Sequence, residues 1–300
     1  MSLALGGLLL RLRRWGEHGL VTAYYRDVVR PRILQTAPEN DTDDARCEIH
    51  ALTCGSDWLN LIWGLKSFYR ASRRRYALCI HEDGTVPDEG LLQLRHHFPA
   101  ARLIPRSQAD ARAEVELRTF PRSLAFRRSN PLALKVFDFL LYLETERMLL
   151  FDSDLLFFHE PKDLLRCVED PSYIHNTVNR DVASAYTIEP SVAKKTFGIE
   201  LVECFNSGLG LIHRASLRLD WIDEFLGLPG VLDGHFWRIE QTLYALCSSR
   251  HGVELLPDEY AVYFDRGIGE RPVRHYVGAI RHLMYREGIA RLAHDGLLSF

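Results

Sequence analysis

The sequence predicts an α/β protein with a mostly parallel central sheet flanked by helices, and three observations carry that expectation. Short apolar runs alternate with helix-length amphipathic stretches from residue 48 to residue 104, the pattern of strands joined by crossover helices. A continuous apolar run, Met148–Phe151, is bounded by polar residues, as suits a strand covered on both faces. That run ends on two carboxylates, Asp152 and Asp154, where open α/β sheets place their ligands. With 300 residues, 47% hydrophobic and 26% charged, the chain can bury a large core, and global disorder is excluded.

The elements follow in order. Glu48–Thr53 reads as a first strand, ending at Cys54-Gly55-Ser56-Asp57. Trp58–Tyr69 carries Leu61, Ile62, Leu65, Phe68 and Tyr69 at helical spacing, with Ser56 or Asp57 available as N-cap. The basic run Arg70–Arg75 is expected to be a solvated helix end, where cations favour the macrodipole. Tyr76–Ile80 is a second strand, Pro87–Phe98 a helix and Ala101–Ile104 a short strand. A helix over Leu132–Leu143 leads into the acidic strand. Phe205–His213 opens on a polar turn and continues as a strand, while Leu219–Leu226 and Arg238–Cys247 are helical. Val253–Leu256 and His275–Gly278 belong to further sheet edges or loops.

Pro38–Ala45 is polar, acidic and rich in turn formers, which marks it as a linker. It divides a helical N-terminal extension, residues 1–45, from a main domain, residues 46–300. Leu3–Leu10 is too short to span a bilayer, and Arg11, Arg13 and Arg14 follow it instead of preceding it, the wrong order for a secretory signal. The segment suits either an amphipathic helix on an anionic membrane surface or a terminal helix packed on the domain. A net charge of −3 gives no footing for nucleic acid. Cys47, Cys54, Cys79, Cys167, Cys204 and Cys247 form no Cys-x-x-Cys pair, so reduced thiols are expected instead of a zinc or disulfide framework. The cytoplasm is the expected compartment; of the two readings, the amphipathic one would place the N-terminus against the inner face of a membrane.

Two like charges beside a core are costly unless something positive neutralises them. A divalent cation is the natural partner, and oxygen donors point to a hard ion, Mg²⁺ or Mn²⁺.

Phe151-Asp152-Ser153-Asp154, Asn206-Ser207-Gly208, Glu240-Gln241 and His275-Tyr276-Val277-Gly278 occur in this order with broad gaps. Together they resemble nucleotide-sugar-dependent glycosyltransferases of the GT-A fold, nearest to the glycogenin and bacterial galactosyltransferase type, over roughly residues 48 to 285. The resemblance implies transfer of a hexose from a nucleoside-diphosphate sugar, a UDP-sugar, to a glycan, lipid or protein acceptor. It implies that Asp152, Asp154 and His275 hold the metal, which would neutralise the departing diphosphate as a Lewis acid; imidazole among the ligands tilts the choice toward Mn²⁺.

Other positions carry over in the same way. The Asn206-Ser207-Gly208 turn would let backbone approach the sugar. Gln241, with Glu240 beside it, matches the helix-borne position facing the reacting carbon. Gln241 there fits a retaining front-side reaction, and Glu240 there would be the base of an inverting one. Thr53, Cys54, Gly55, Asp83 and Ser153 match the nucleotide-binding side. Lys135 and Gly278 lie near the diphosphate, and Arg281 replaces the family's lysine without the proline that follows it. Tyr173–Lys195 is the expected acceptor side. Two other readings stay open: a GT-A-like binding module without catalysis, and a phosphohydrolase of the haloacid dehalogenase type, whose Asp-x-Asp normally lies near the N-terminus.

Overall fold

The computed structural model describes residues 18–299. Its strands, in chain order, are β1 (Asp44–Thr53), β2 (Tyr76–Glu82), β3 (Arg102–Ile104), β4 (Arg147–Phe151), β5 (Leu155–Phe157), β6 (Asn176–Arg180), β7 (Phe205–His213), β8 (Val253–Leu255) and β9 (Val273–His275). The longer helices are α1 (Trp58–Ser72), α2 (Asp88–His97), α3 (Arg106–Glu116), α4 (Pro121–Ser129), α5 (Ala133–Tyr142), α6 (Lys162–Glu169), α7 (Pro190–Phe197), α8 (Leu219–Phe225) and α9 (Phe236–His251).

Seven strands form one sheet in the order β3-β2-β1-β4-β7-β6-β8, and β5 and β9 form a second, two-stranded one. β3, β2, β1 and β4 run parallel, as does β8 to β6. β7 is inserted antiparallel between β4 and β6. The expected parallel sheet is therefore interrupted at its centre.

The apolar run of β4 is explained by two cores. Leu149 and Phe151 face a layer with Leu61, Leu65 and Phe68 of α1. Met148 and Leu150 face the other layer, with Val136 and Phe137 of α5 and Leu243 and Leu246 of α9. Alternate side chains of a strand point to opposite faces, so burial on both sides demands apolar residues at every position. Each such side chain contributes roughly 1.5–3 kcal/mol when fully buried.

Several expectations need adjusting. β1 begins at Asp44, so the end of the expected linker is already strand, with an irregular register between Asp44 and Glu48. Asn206-Ser207-Gly208 is no turn but lies inside β7; the bend is at Cys204, whose φ is +54°. Arg74 pairs with Glu169 and Arg75 with Glu39, so the basic run is anchored rather than merely solvated. Residues 18–35 are helical, and Val29 and Ile33 are buried against α1. Residues 1–17, which include the Leu3–Leu10 segment and its arginines, lie outside the described residues. Among those described, no helix is long and apolar enough to cross a membrane.

Candidate functional site

Strand pairing assembles the site. Phe151 pairs with Leu209, which sets Gly208 beside Asp152, and the Asp152 N–H donates to the Gly208 carbonyl at 2.9 Å. Leu155 pairs with His275 in the small sheet, and the Tyr276 N–H donates to the Asp154 carbonyl at 2.9 Å. Two pairings, each over a long stretch of sequence, thus bring Asp152, Asp154, Asn206, Gly208 and His275 to the carboxyl end of β4. They line a cleft of about 660 Å³, with Lys135, Asp181, Ser207, Trp237, Glu240, Gln241, Gly278 and Arg281 among the other walls.

Each carboxylate at the end of β4 has one oxygen tied to a cation. Lys135 Nζ lies 2.8 Å from Asp152 Oδ1, and Arg281 Nη2 lies 2.5 Å from Asp154 Oδ2. The remaining oxygens turn to one atom: His275 Nε2 is 2.9 Å from Asp154 Oδ1 and 3.6 Å from Asp152 Oδ2. The other ring nitrogen, Nδ1, is 3.0 Å from Asn206 Oδ1, which also accepts the Gly208 N–H. Asn206 Nδ2 donates to Asp181, and that contact fixes its amide with the oxygen toward the ring. His275 Nδ1 is therefore the N–H, and Nε2 is the atom presented to the carboxylates.

Electrostatics fit that geometry. Burial lowers the His275 pKa, but Asp154 more than offsets it and the net shift is upward. Asp154 is pushed up by burial and pulled further down by His275 and Arg281, to well below the ordinary carboxylate range. A positive charge is thus required between the two acids. Donor atoms of Asp152, Asp154 and His275 lie within 4.8 Å of one another, and two carboxylates and an imidazole so placed fit a divalent cation.

Gly208 is a glycine for a local reason. A Cβ there would sit 2.1 Å from His275 Cε1 and 2.9 Å from Asp152 Oδ2, so the imidazole occupies the space a side chain would need.

Lys135, in the first turn of α5, is buried. Its Nζ also reaches the Ser207 carbonyl at 3.0 Å and lies 3.3 Å from Glu240 Oε1. Burial alone would lower its pKa; Asp152 and Glu240 reverse this and raise it. Glu240 Oε2 accepts from Ser207 Oγ at 2.9 Å. Burial, opposed by Lys135, pushes the Glu240 pKa up to about 7. Glu240 and Gln241 are both buried and both line the cleft, so the helix does not choose between them; Gln241 Nε2 has no hydrogen-bond partner among the described residues.

Thr53, Cys54, Gly55, Asp83 and Ser153 do not line the cleft among its described walls. Asp83 Oδ1 instead accepts from the Thr85 N–H and hydroxyl, and Ser153 Oγ donates to the Leu52 carbonyl. A Cβ on Gly55 would meet the Thr85 carbonyl oxygen at 2.6 Å, so that glycine serves the packing of two loops. Two participants were not singled out from the sequence. Asp57 makes no side-chain cap bond to α1; it holds Arg281 Nη1 at 2.6 Å. Asp181 and its neighbours Val182, Ala183 and Ala185 line the cleft from within the expected acceptor stretch.

No protein-family model matches the chain, and no curated protein matches it. Solved structures do. The chain is similar to the galactosyltransferase LgtC in complex with donor and acceptor sugar analogues, at 14% identity over 84% of this chain and 95% of that one, with a TM-score of 0.53. Apo mouse xyloside xylosyltransferase 1 matches at 12% identity over 81% and 99%, with a TM-score of 0.49. Core-mannan synthase A from Aspergillus fumigatus, in its Mn/GDP form, matches at 12% over 74% and 77%, with a TM-score of 0.46. At such identities the likeness establishes the fold alone, and the two matches with TM-scores below one half carry no argument. The fold is GT-A, a mixed α/β architecture with a mainly parallel central sheet.

Proposed function

We propose that the chain is a metal-dependent glycosyltransferase. It would move a hexose from a nucleoside-diphosphate sugar, a UDP-sugar, to a glycan, lipid or protein acceptor, with retention of configuration. One observation carries the reading: in a GT-A fold, Asp152, Asp154 and His275 converge at the carboxyl end of β4, with their outer atoms fixed by Lys135, Arg281 and Asn206. Mn²⁺ or Mg²⁺ held there supplies Lewis-acid stabilisation of the departing diphosphate.

This chain's own residues do the rest. Lys135 and Arg281 bring two fixed cations to the side of the cleft where the diphosphate charge develops. Ser207 and Gly208 line the wall that the sugar approaches. Gln241 carries an amide with an unpaired buried N–H, which suits contact with a sugar or leaving oxygen and cannot take up a proton; that supports a front-side, retaining course. Thr53, Cys54, Gly55, Asp83 and Ser153 take the nucleoside side, with residues 46–300 as the transferase domain. In this reading the N-terminal extension would contact the inner face of a membrane in the cytoplasm.

A specific feature favours a second course. Burial raises the Glu240 pKa to about 7, the range that suits a general base and an inverting reaction. The anomer formed decides between them.

The test is release of nucleoside diphosphate from a panel of UDP- and GDP-sugars with and without Mn²⁺. Metal-dependent release that Asp154→Ala abolishes is expected. Metal-independent donor binding with no turnover would leave the non-catalytic module. Phosphate-ester hydrolysis without any nucleotide would point to the phosphohydrolase.

A further inference from the structure

Away from the cleft, three metal-binding side chains meet inside the core. β1 and β2 are parallel neighbours with His50 in register with Cys79, and His81 follows two residues later. All three therefore project from one face of the sheet. That face is closed by α5: the Phe139 ring lies 5.3 Å from that of His50 and 4.9 Å from that of His81, and Tyr142 meets His81 edge-on at 5.7 Å. The three residues are shut off from solvent. His50 Nδ1 is 3.1 Å from His81 Nε2, and Cys79 Sγ is 3.3 Å from the same nitrogen.

Hydrogen bonds alone do not satisfy this cluster. His50 Nε2 faces Glu48 Oε2 at 3.1 Å, so that nitrogen needs the proton. A neutral His50 then turns a bare Nδ1 toward His81, whose Nε2 must carry the proton between them. His81 Nδ1 is left as a bare, buried nitrogen without a partner among the described residues, and the Cys79 thiol faces an N–H instead of an acceptor. In the opposite tautomer the bare His50 Nε2 confronts the Glu48 carboxylate. Both arrangements leave polar atoms in conflict inside an apolar core, which is costly.

We propose that His50, Cys79 and His81 form a buried site for one thiophilic transition-metal ion, Zn²⁺ or Cu⁺. Two imidazole nitrogens and a thiolate are a donor set for such ions. One donor atom from each residue lies within 4.8 Å of the other two. Donors with these separations surround a point about 2 Å from each, the length of metal–nitrogen and metal–sulfur bonds. Glu48 is the outer carboxylate that fixes the tautomer of His50, and it is itself held by Arg102 and by the Glu144 N–H at 3.0 Å. Coordination breaks the Cys79 S–H bond as the sulfur–metal bond forms, and the proton leaves with the water the ion sheds. Zinc favours four donors and Cu⁺ accepts three, so the metal found tells which ion the site takes. Because the site is sealed, the ion enters while the chain folds and resists chelators afterwards.

The experiment uses the full chain carrying Asp152→Asn and Asp154→Asn, which removes the acids of the cleft. Protein expressed with added zinc or with added copper is passed through EDTA and its metal content measured. A parallel sample is refolded with Co²⁺. The proposal expects a stoichiometric ion that EDTA leaves in place and a thiolate-to-cobalt charge-transfer band, both lost when Cys79→Ser or His81→Gln is added. Metal-free protein from both media together with no cobalt band would overturn it, as would retention of the ion in Cys79→Ser. If the added substitutions prevent folding, the presence or absence of the cobalt band with His50, Cys79 and His81 intact decides.

Discussion

Gly208→Ala probes the proposed metal-binding geometry through a residue that carries no functional group. The new methyl carbon would lie 2.1 Å from Cε1 and 2.7 Å from Nδ1 of His275, against an ordinary contact of 3.4 Å or more. The ring must therefore retreat by more than 1 Å. It is clamped on both sides, by Asn206 Oδ1 at 3.0 Å and Asp154 Oδ1 at 2.9 Å, so retreat breaks at least one of these contacts. Asp152 Oδ2, 2.9 Å from the added carbon, is displaced as well. Overpacking of this kind costs about 1–3 kcal/mol of stability, and a domain of this size then loses several degrees of melting temperature. Disturbing the support of a metal ligand costs about 10–100-fold in affinity, and here a ligand itself moves. Titration calorimetry with Mn²⁺, with circular dichroism to confirm the fold, should show at least that loss. A folded Gly208→Ala protein that binds Mn²⁺ as the wild type does would refute the assignment of His275 and Asp152 to one ion.

Three further outcomes are expected. Arg281→Met strips the cation from Asp154 and Asp57 and should destabilise the metal-free chain by about 3 kcal/mol; Mn²⁺ should raise its melting temperature more than that of the wild type, and an equal rise would contradict the charge-balancing role of Arg281. For Glu240 the folded-state pKa, about 7, lies above its ordinary value of 4.5. Its contribution therefore favours the fold at low pH and is lost as pH rises through about 7. Denaturant titrations of Glu240→Gln should lose that fall in stability, and an unchanged pH slope would count against burial as its cause. Arg127 makes a paired contact with the buried Asp138 at 2.7 and 2.8 Å, far from the metal donors in sequence. Arg127→Met should cost about 3–5 kcal/mol while leaving Mn²⁺ affinity intact, which calorimetry on the folded fraction checks.

The first half of the sheet was legible because β1, β2 and β4 put large apolar residues in short runs and α1 repeats them at helical spacing. α3 escaped notice because its core-facing positions are the small Ala109 and Ala113, which leave little apolar signal between charged neighbours. The antiparallel insertion of β7 is set by its long connections, and no local pattern encodes direction. Asp152 and Asp154 stood out as a candidate cation site from their charge at the end of an apolar run, whereas His275 entered only through likeness to a family motif; spacing alone could not have joined it to Asp154, since the pairing of β5 with β9 does so. The sequence offers Ser56 or Asp57 as the cap of α1, and the bond of Asp57 to Arg281 is set only by the fold. The same limit hid the cluster of His50, Cys79 and His81, in which His50 joins the other two only through the register of β1 on β2.

In the proposed function, Asp152, Asp154 and His275 bind a nucleoside diphosphate through a divalent cation. Thermal unfolding with UDP, with Mn²⁺, with both and with neither, in the wild type and in Asp154→Ala, tests this. At a hundredfold excess over its dissociation constant a ligand of the folded state adds about 2.7 kcal/mol of stability. A rise in melting temperature that needs UDP and Mn²⁺ together and vanishes in Asp154→Ala is the predicted result. A rise with UDP that is the same without Mn²⁺, or that survives in Asp154→Ala, would contradict it.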